Sequence, residues 1–114
     1  MKPLEVRKYL FDIDRACDLI SRFTAGKTFE DYVADTMLRS AVERQFEIVG
    51  EALNKAIHID PDLENSISGT RRIVAFRNRL IHGYASISDK VVWGVIESYL
   101  SDLHSDIAAL LKDV

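Results

Sequence analysis

The string Arg77-Asn78-Arg79-Leu80-Ile81-His82-Gly83-Tyr84 gathers the residue types in this chain best suited to handling a phosphate. Arginine carries a permanent, planar positive charge that stabilises a phosphate gaining charge in a transition state. His82 closes an expected helix, where the negative end of the helix dipole favours the protonated ring and suits it to moving a proton. Asn78 stands one helical turn earlier, within reach to hydrogen-bond and orient the imidazole. Tyr84 presents a hydroxyl beyond Gly83. Arginine and histidine without a nearby carboxylate cluster to hold a metal point to metal-independent phosphodiester cleavage. In RNA the 2′-hydroxyl is the internal nucleophile that so small a site can exploit.

Two constraints limit this reading. Residues five apart on an ideal helix lie about 140° apart around its axis. Arg77 and His82 therefore converge only if the last turn distorts, the long arginine wraps around, or a second subunit completes the site. A single imidazole also cannot be base and acid at once, and His58 and His104 read as surface residues on helix margins. A two-fold dimer bringing two copies of His82 together solves both problems. On spacing alone, a histidine that merely ends its helix remains the alternative.

Charge sharpens the picture. The 114 residues carry 15 Lys and Arg, 18 Asp and Glu, and a formal net charge of −3, a balance that by itself lowers the odds of a nucleic-acid partner. From Ser66 to Ser88, however, there is no Asp or Glu, while Arg71, Arg72, Arg77 and Arg79 all fall inside that stretch. Arg71, Arg72 and Arg79 are thus expected to contact RNA phosphates beside Arg77. The plain alternative is four solvated arginines whose partners lie elsewhere in the fold.

These residues need elements to position them, and the chain reads as helical throughout. Apolar residues make up 47% of it, and five Gly and two Pro are too few turn residues for an all-β domain. Val6, Tyr9, Leu10, Ile13, Cys17, Ile20 and Phe23 recur at helical spacing up to Gly26. Thr28 with Asp31 reads as a cap for a long second helix, whose stripe is Leu38, Ala41, Val42, Ile48, Val49, Ala52, Leu53 and Ala56. Gln45 falls within that stripe, where an amide needs a polar partner. Asp60-Pro61-Asp62 breaks the helix, and a loop with one irregular turn leads to a third helix over 71–82, closed by Gly83. Ser86 and Ser88 are candidate caps for a fourth, with Val92, Val95, Ile96, Tyr99, Leu100, Leu103, Ile107 and Leu110 inward. The expectation is an all-α antiparallel bundle of four main helices, one domain over 1–114. Its apolar stripes are wide enough to invite a homodimer.

Several classes are set aside. No apolar run approaches the length of a membrane span, and the N-terminus lacks the apolar stretch of a secretory signal. The single cysteine, Cys17, can form neither an internal disulfide nor a cysteine-based zinc site, so a reducing, cytoplasmic setting is expected, with no metal and no cofactor.

Arg77-x4-His82-x-Tyr84 resembles the Arg-x4-6-His signature of the HEPN superfamily, in the Arg-x4-His-x-Tyr form of HepT-like proteins. The context agrees: Phe76 before the motif, Val92-Trp93 after it, and Arg44, Glu47, Ile48, Gly50, Glu51 and Ala52 resembling the family's second helix. The likeness spans almost the whole chain. It implies an all-α HEPN bundle that forms homodimers with the two motifs facing each other, and the toxin role of a type VII-like toxin–antitoxin pair. It further implies that Arg77 and His82 cleave RNA, tRNA included, and that an MntA-like minimal nucleotidyltransferase antitoxin adds AMP to Tyr84. Added bulk and negative charge at that hydroxyl would oppose RNA. Asn78 is then assigned to orienting His82, while Glu47 and Glu51 are equally well explained as a solvated helix face. A different class of reading is a non-catalytic helical module that binds the nucleotidyltransferase or RNA.

Overall fold

The computed structural model describes residues 2–83 and 87–112. Helices α1 (Leu4–Thr24), α2 (Phe29–Ala34), α3 (Thr36–Ile59), α4 (Thr70–His82), α5 (Asp89–Ser98) and α6 (Leu100–Lys112) follow in order, with a 3-10 turn over Pro61–Asn65 between α3 and α4. The all-α class is as expected, and α3 is its axis. It packs along α1 on one side and α4 on another, α6 lies against α1, and α2 connects α3 to α5. No helix of the described residues is long and apolar enough to cross a membrane.

The periodic apolar positions form the core. Val6, Leu10, Ile13, Cys17 and Ile20 of α1, Val42, Val49, Leu53 and Ala56 of α3, and Leu103, Ile107 and Leu110 of α6 are all buried. Burial pushes the Cys17 thiol up to about 12, with the Asp14 carboxylate adding to the rise, so this cysteine is a core filler. Two large residues join from outside the expected stripes. Phe46 is fully buried, edge-on to Phe76 with centroids 5.3 Å apart, and Tyr32 is fully buried against Trp93. Phe46 occupies the inward position, which leaves its neighbour Gln45 half-buried at the stripe margin instead of in its middle.

Two of the four expected helices are each broken in two. Thr28 does cap a helix: its hydroxyl accepts from the Asp31 amide at 3.1 Å and the Asp31 carboxylate accepts from the Thr28 amide at 3.0 Å. That helix is only the short α2, because Asp35 turns extended and restarts the chain as α3, accepting from the Leu38 amide at 3.0 Å. An aspartate able to cap outcompetes helix continuation at this point. Arg39 fastens the junction, donating to the Val33 carbonyl and the Thr36 hydroxyl. The fourth helix starts at the expected Ser88 cap, which accepts from the Val91 amide at 3.2 Å, and breaks at Tyr99. Ser86, the other candidate, lies outside the described residues. His104 also departs from the surface role expected of it. It is half-buried and its Nε2 meets Asp14 Oδ1 at 3.0 Å, tying α6 to α1, while His58 is exposed.

Replacing the α3 cap with Asp35→Ala is expected to destabilise the protein by about 1 kcal/mol. Thermal unfolding should show this as a midpoint about 4 °C lower, whereas the same change at exposed Asp12 leaves the midpoint within error.

Candidate functional site

Helix α4 is regular through His82 and ends at Gly83, whose amide donates to the Arg79 carbonyl at 2.8 Å. Gly83 closes the helix as expected and stays in the right-handed region (φ −87°, ψ −1°). An undistorted last turn removes one of the three ways of joining Arg77 to His82. Around the helix, Arg71, Asn78 and His82 fall within about 40° of one another, and Arg72 and Arg79 within about 20° on the adjoining flank. Arg71, Arg72, Asn78, Arg79 and His82 are all exposed. The acid-free segment has thus become a basic ridge along the outer face of α4. Arg71 shares its charge with Glu64 at 3.7 Å, a surface pair of small energetic weight.

Arg77 is placed differently. Its side chain is only 22% exposed and lies against α3 at Gly50. A methyl group on Gly50 would come within 2.2 Å of Arg77 Cβ and 2.7 Å of its Cγ, so only glycine admits the arginine stem here. The guanidinium is then drawn to both sides: Nη1 donates to Asn78 Oδ1 at 3.0 Å, and Nη2 lies 3.9 Å from Glu51 Oε2. Its Nε–H is sealed from solvent with no acceptor. Asn78, expected to hold the imidazole, instead has its carboxamide oxygen on Arg77. That bond bends the arginine tip toward the face that carries His82. Among the described residues His82 has no side-chain hydrogen-bond partner, and Tyr84 lies outside them.

Sequence reasoning left out three supports of this site. Glu51, read as a solvated acid, is the ion-pair partner of Arg77 and also of Lys55 at 3.3 Å. Its place one residue after Gly50 was the available signal. Tyr99 anchors the start of α4, its hydroxyl donating to the Ser68 carbonyl at 2.7 Å. Its ring packs on Gly69, which sits at φ +71° and so favours glycine. Burial and neighbouring acids push the Tyr99 hydroxyl well above the usual tyrosine range, so it stays a protonated donor. Glu64, the partner of Arg71, was hidden in the loop.

An all-α bundle with a basic ridge on one helix, and a half-buried arginine about one and a half helical turns before an exposed terminal histidine, sets out the groups that handling a phosphate would require. The family model of ribonuclease HepT-like proteins matches residues 13–110, and the chain belongs to that family. It is 33% identical over 106 residues to a Thermococcus cleftensis protein named "Probable ribonuclease HepT", covering 93% of this chain and 96% of the relative. A candidate RNase of Caldanaerobacter subterraneus subsp. tengcongensis is 29% identical over 93% of this chain and 94% of its own. One from Methanocaldococcus jannaschii is 27% identical over 100% and 93%. No solved structure gives a significant match.

Gly50→Ala is expected to force α3 and α4 apart, at a cost of about 1–3 kcal/mol from overpacking. Paired with Arg77→Ala, which removes the clashing Cγ but not Cβ, the loss should be partly relieved. A double-mutant cycle by urea unfolding showing simple additivity would mean the two residues do not touch.

Proposed function

We propose that this chain is a metal-independent ribonuclease and the toxin of a toxin–antitoxin pair, active as a homodimer in the cytoplasm. The observation that carries the reading is Arg77, seated on Gly50 and turned by Asn78 toward the His82 face, in a chain of the ribonuclease HepT-like family. The ribonuclease names of the relatives support RNA as substrate. The 2′-oxygen forms the new bond to phosphorus as O5′ leaves. One copy of His82 takes the 2′-proton and a second copy donates a proton to O5′, which is why two protomers are needed. Arg77 holds the non-bridging oxygens as charge builds on them. Its ion pair with half-exposed Glu51 is weak. An arriving phosphate can therefore draw the guanidinium away from it. Arg71, Arg72 and Arg79 hold flanking phosphates along the ridge. Regulation falls to Tyr84, where AMP added by a minimal nucleotidyltransferase puts bulk and negative charge against the RNA path.

A second reading, a non-catalytic module that binds the nucleotidyltransferase or RNA, draws on Arg77 being already engaged by Glu51 and Asn78. Cleavage of total RNA in EDTA separates the two, with Tyr84 checked as unmodified by intact mass. Wild type should cleave, and His82→Ala should lose about 10²–10⁴-fold in rate with an unchanged unfolding midpoint, since His82 is exposed. Equal rates for the two proteins, or no cleavage by unmodified wild type, select the second reading.

Binding of uncleaved RNA by the His82→Ala protein should weaken steeply with salt, the log–log slope falling by about one for each of Arg71, Arg72 and Arg79 replaced by alanine. A slope indifferent to all three removes the ridge from the RNA contact.

A further inference from the structure

A cleft of about 530 Å³ lies where the α1–α2 connection meets α5, lined by Lys27, Phe29, Lys90, Trp93, Gly94 and Glu97. None of these residues belongs to the Arg77 site. Trp93 is half-buried and its ring meets Tyr32 and Phe29 at tilts of 42° and 55°, so neither neighbour lies parallel on it as a stacking base would. Lys27 and Lys90 are both exposed, and among the described residues neither forms a salt bridge. The nearby Asp31 carboxyl is held below the usual range chiefly by its hydrogen bonds with Thr28, with Lys27 adding last, so that carboxylate is already engaged by the Thr28 amide. Two ammonium groups thus face one cleft in an acidic protein.

Gly94 supplies the strongest observation. It lies in the middle of α5, where glycine weakens a helix relative to alanine. Its φ is not positive, and a Cβ built on it meets nothing within 4 Å among the described residues. Neither backbone conformation nor packing among the described residues accounts for the glycine. The missing side chain keeps open the floor of the cleft beside Trp93.

We propose that this cleft binds a nucleotide, with the base against Trp93 over Gly94, the phosphate between Lys27 and Lys90, and Glu97 accepting from an exocyclic amino group of the base. Aromatic stacking joined to cationic side chains is how proteins hold single-stranded nucleic acid. Resting on the ribonuclease reading, the occupant is a nucleotide of the RNA strand beyond the scissile bond, and the cleft is a subsite for the substrate. The nucleotide chemistry itself does not depend on that reading.

Trp93 is the single tryptophan of the chain, so its fluorescence reports on the cleft directly. The test titrates full-length His82→Ala protein with a ten-residue oligoadenylate and, separately, with AMP, so binding is read whether or not the wild type cleaves RNA. Saturable quenching is expected. Oligoadenylate binding much tighter than AMP assigns the cleft to a strand, and equal affinity per site assigns it to a free nucleotide. Added Lys27→Ala and Lys90→Ala together should weaken binding about tenfold or more. Gly94→Ala is the sharper variant, because it should raise the unfolding midpoint while weakening quenching several-fold. No quenching by either probe overturns the proposal, as does a Gly94→Ala protein that is more stable and binds equally well.

Discussion

The approach of α4 to α3 is set at Gly50, where the stem of Arg77 occupies the space that any other side chain would take. Backbone geometry and chemistry meet at that contact. If α4 stood farther off, Phe76 would lose its edge-on contact with Phe46, and the Arg77 guanidinium would move away from both Glu51 and Asn78. The arginine is held by packing along its stem and only loosely by charge at its tip. A loose, partly exposed pair at 3.9 Å fixes little, whereas a stem wedged against a glycine fixes a great deal. Such a group keeps its position and still has its charge to offer.

The rest of α4 divides its arginines by depth. Arg71, Arg72 and Arg79 stand outside, on the ridge, where they add positive potential without a precise geometry. Arg77 alone is drawn inward. This difference matters in a chain with a net charge of −3, because long-range attraction of RNA must come from a local field. Phosphate positioning at the reacting bond demands a fixed donor instead. Asn78 links the two arrangements, since it belongs to the outer stripe by its place on the helix and to Arg77 by its hydrogen bond.

Breaks in the helices serve the same positioning. Tyr99 leaves α5 and α6 as separate helices, and its hydroxyl and ring clamp Ser68 and Gly69 at the start of α4. One end of the functional helix is therefore anchored by the C-terminal part of the chain and its middle by α3. At the other break, the Asp35 cap ends α2 and restarts the chain as α3, leaving α2 in contact with both α3 and α5. Tyr32 is thereby buried against Trp93, and α2 is brought to α5 at the edge of the cleft beside Trp93.

Much of this was legible in the residues. Amphipathic spacing identified α1, α3, α4 and the α5–α6 stretch, because a helix with one apolar face has a single stable way to bury it. Thr28 and Ser88 announced their caps through chemistry that acts within four residues, and the acid-free run of arginines announced an exposed basic face on α4. What spacing could not show was competition between local signals, such as Asp35 capping a new helix where the stripe promised continuation. Nor could it show which of Gln45 and Phe46 turns inward. Above all, Glu51 and Asn78 became partners of Arg77 only when α3 and α4 packed. Local sequence determines helix, cap and charge because those depend on near neighbours. Which charge meets which, and whether a glycine is a turn or a seat for another side chain, depends on atoms far apart in the chain and is decided only when the helices pack.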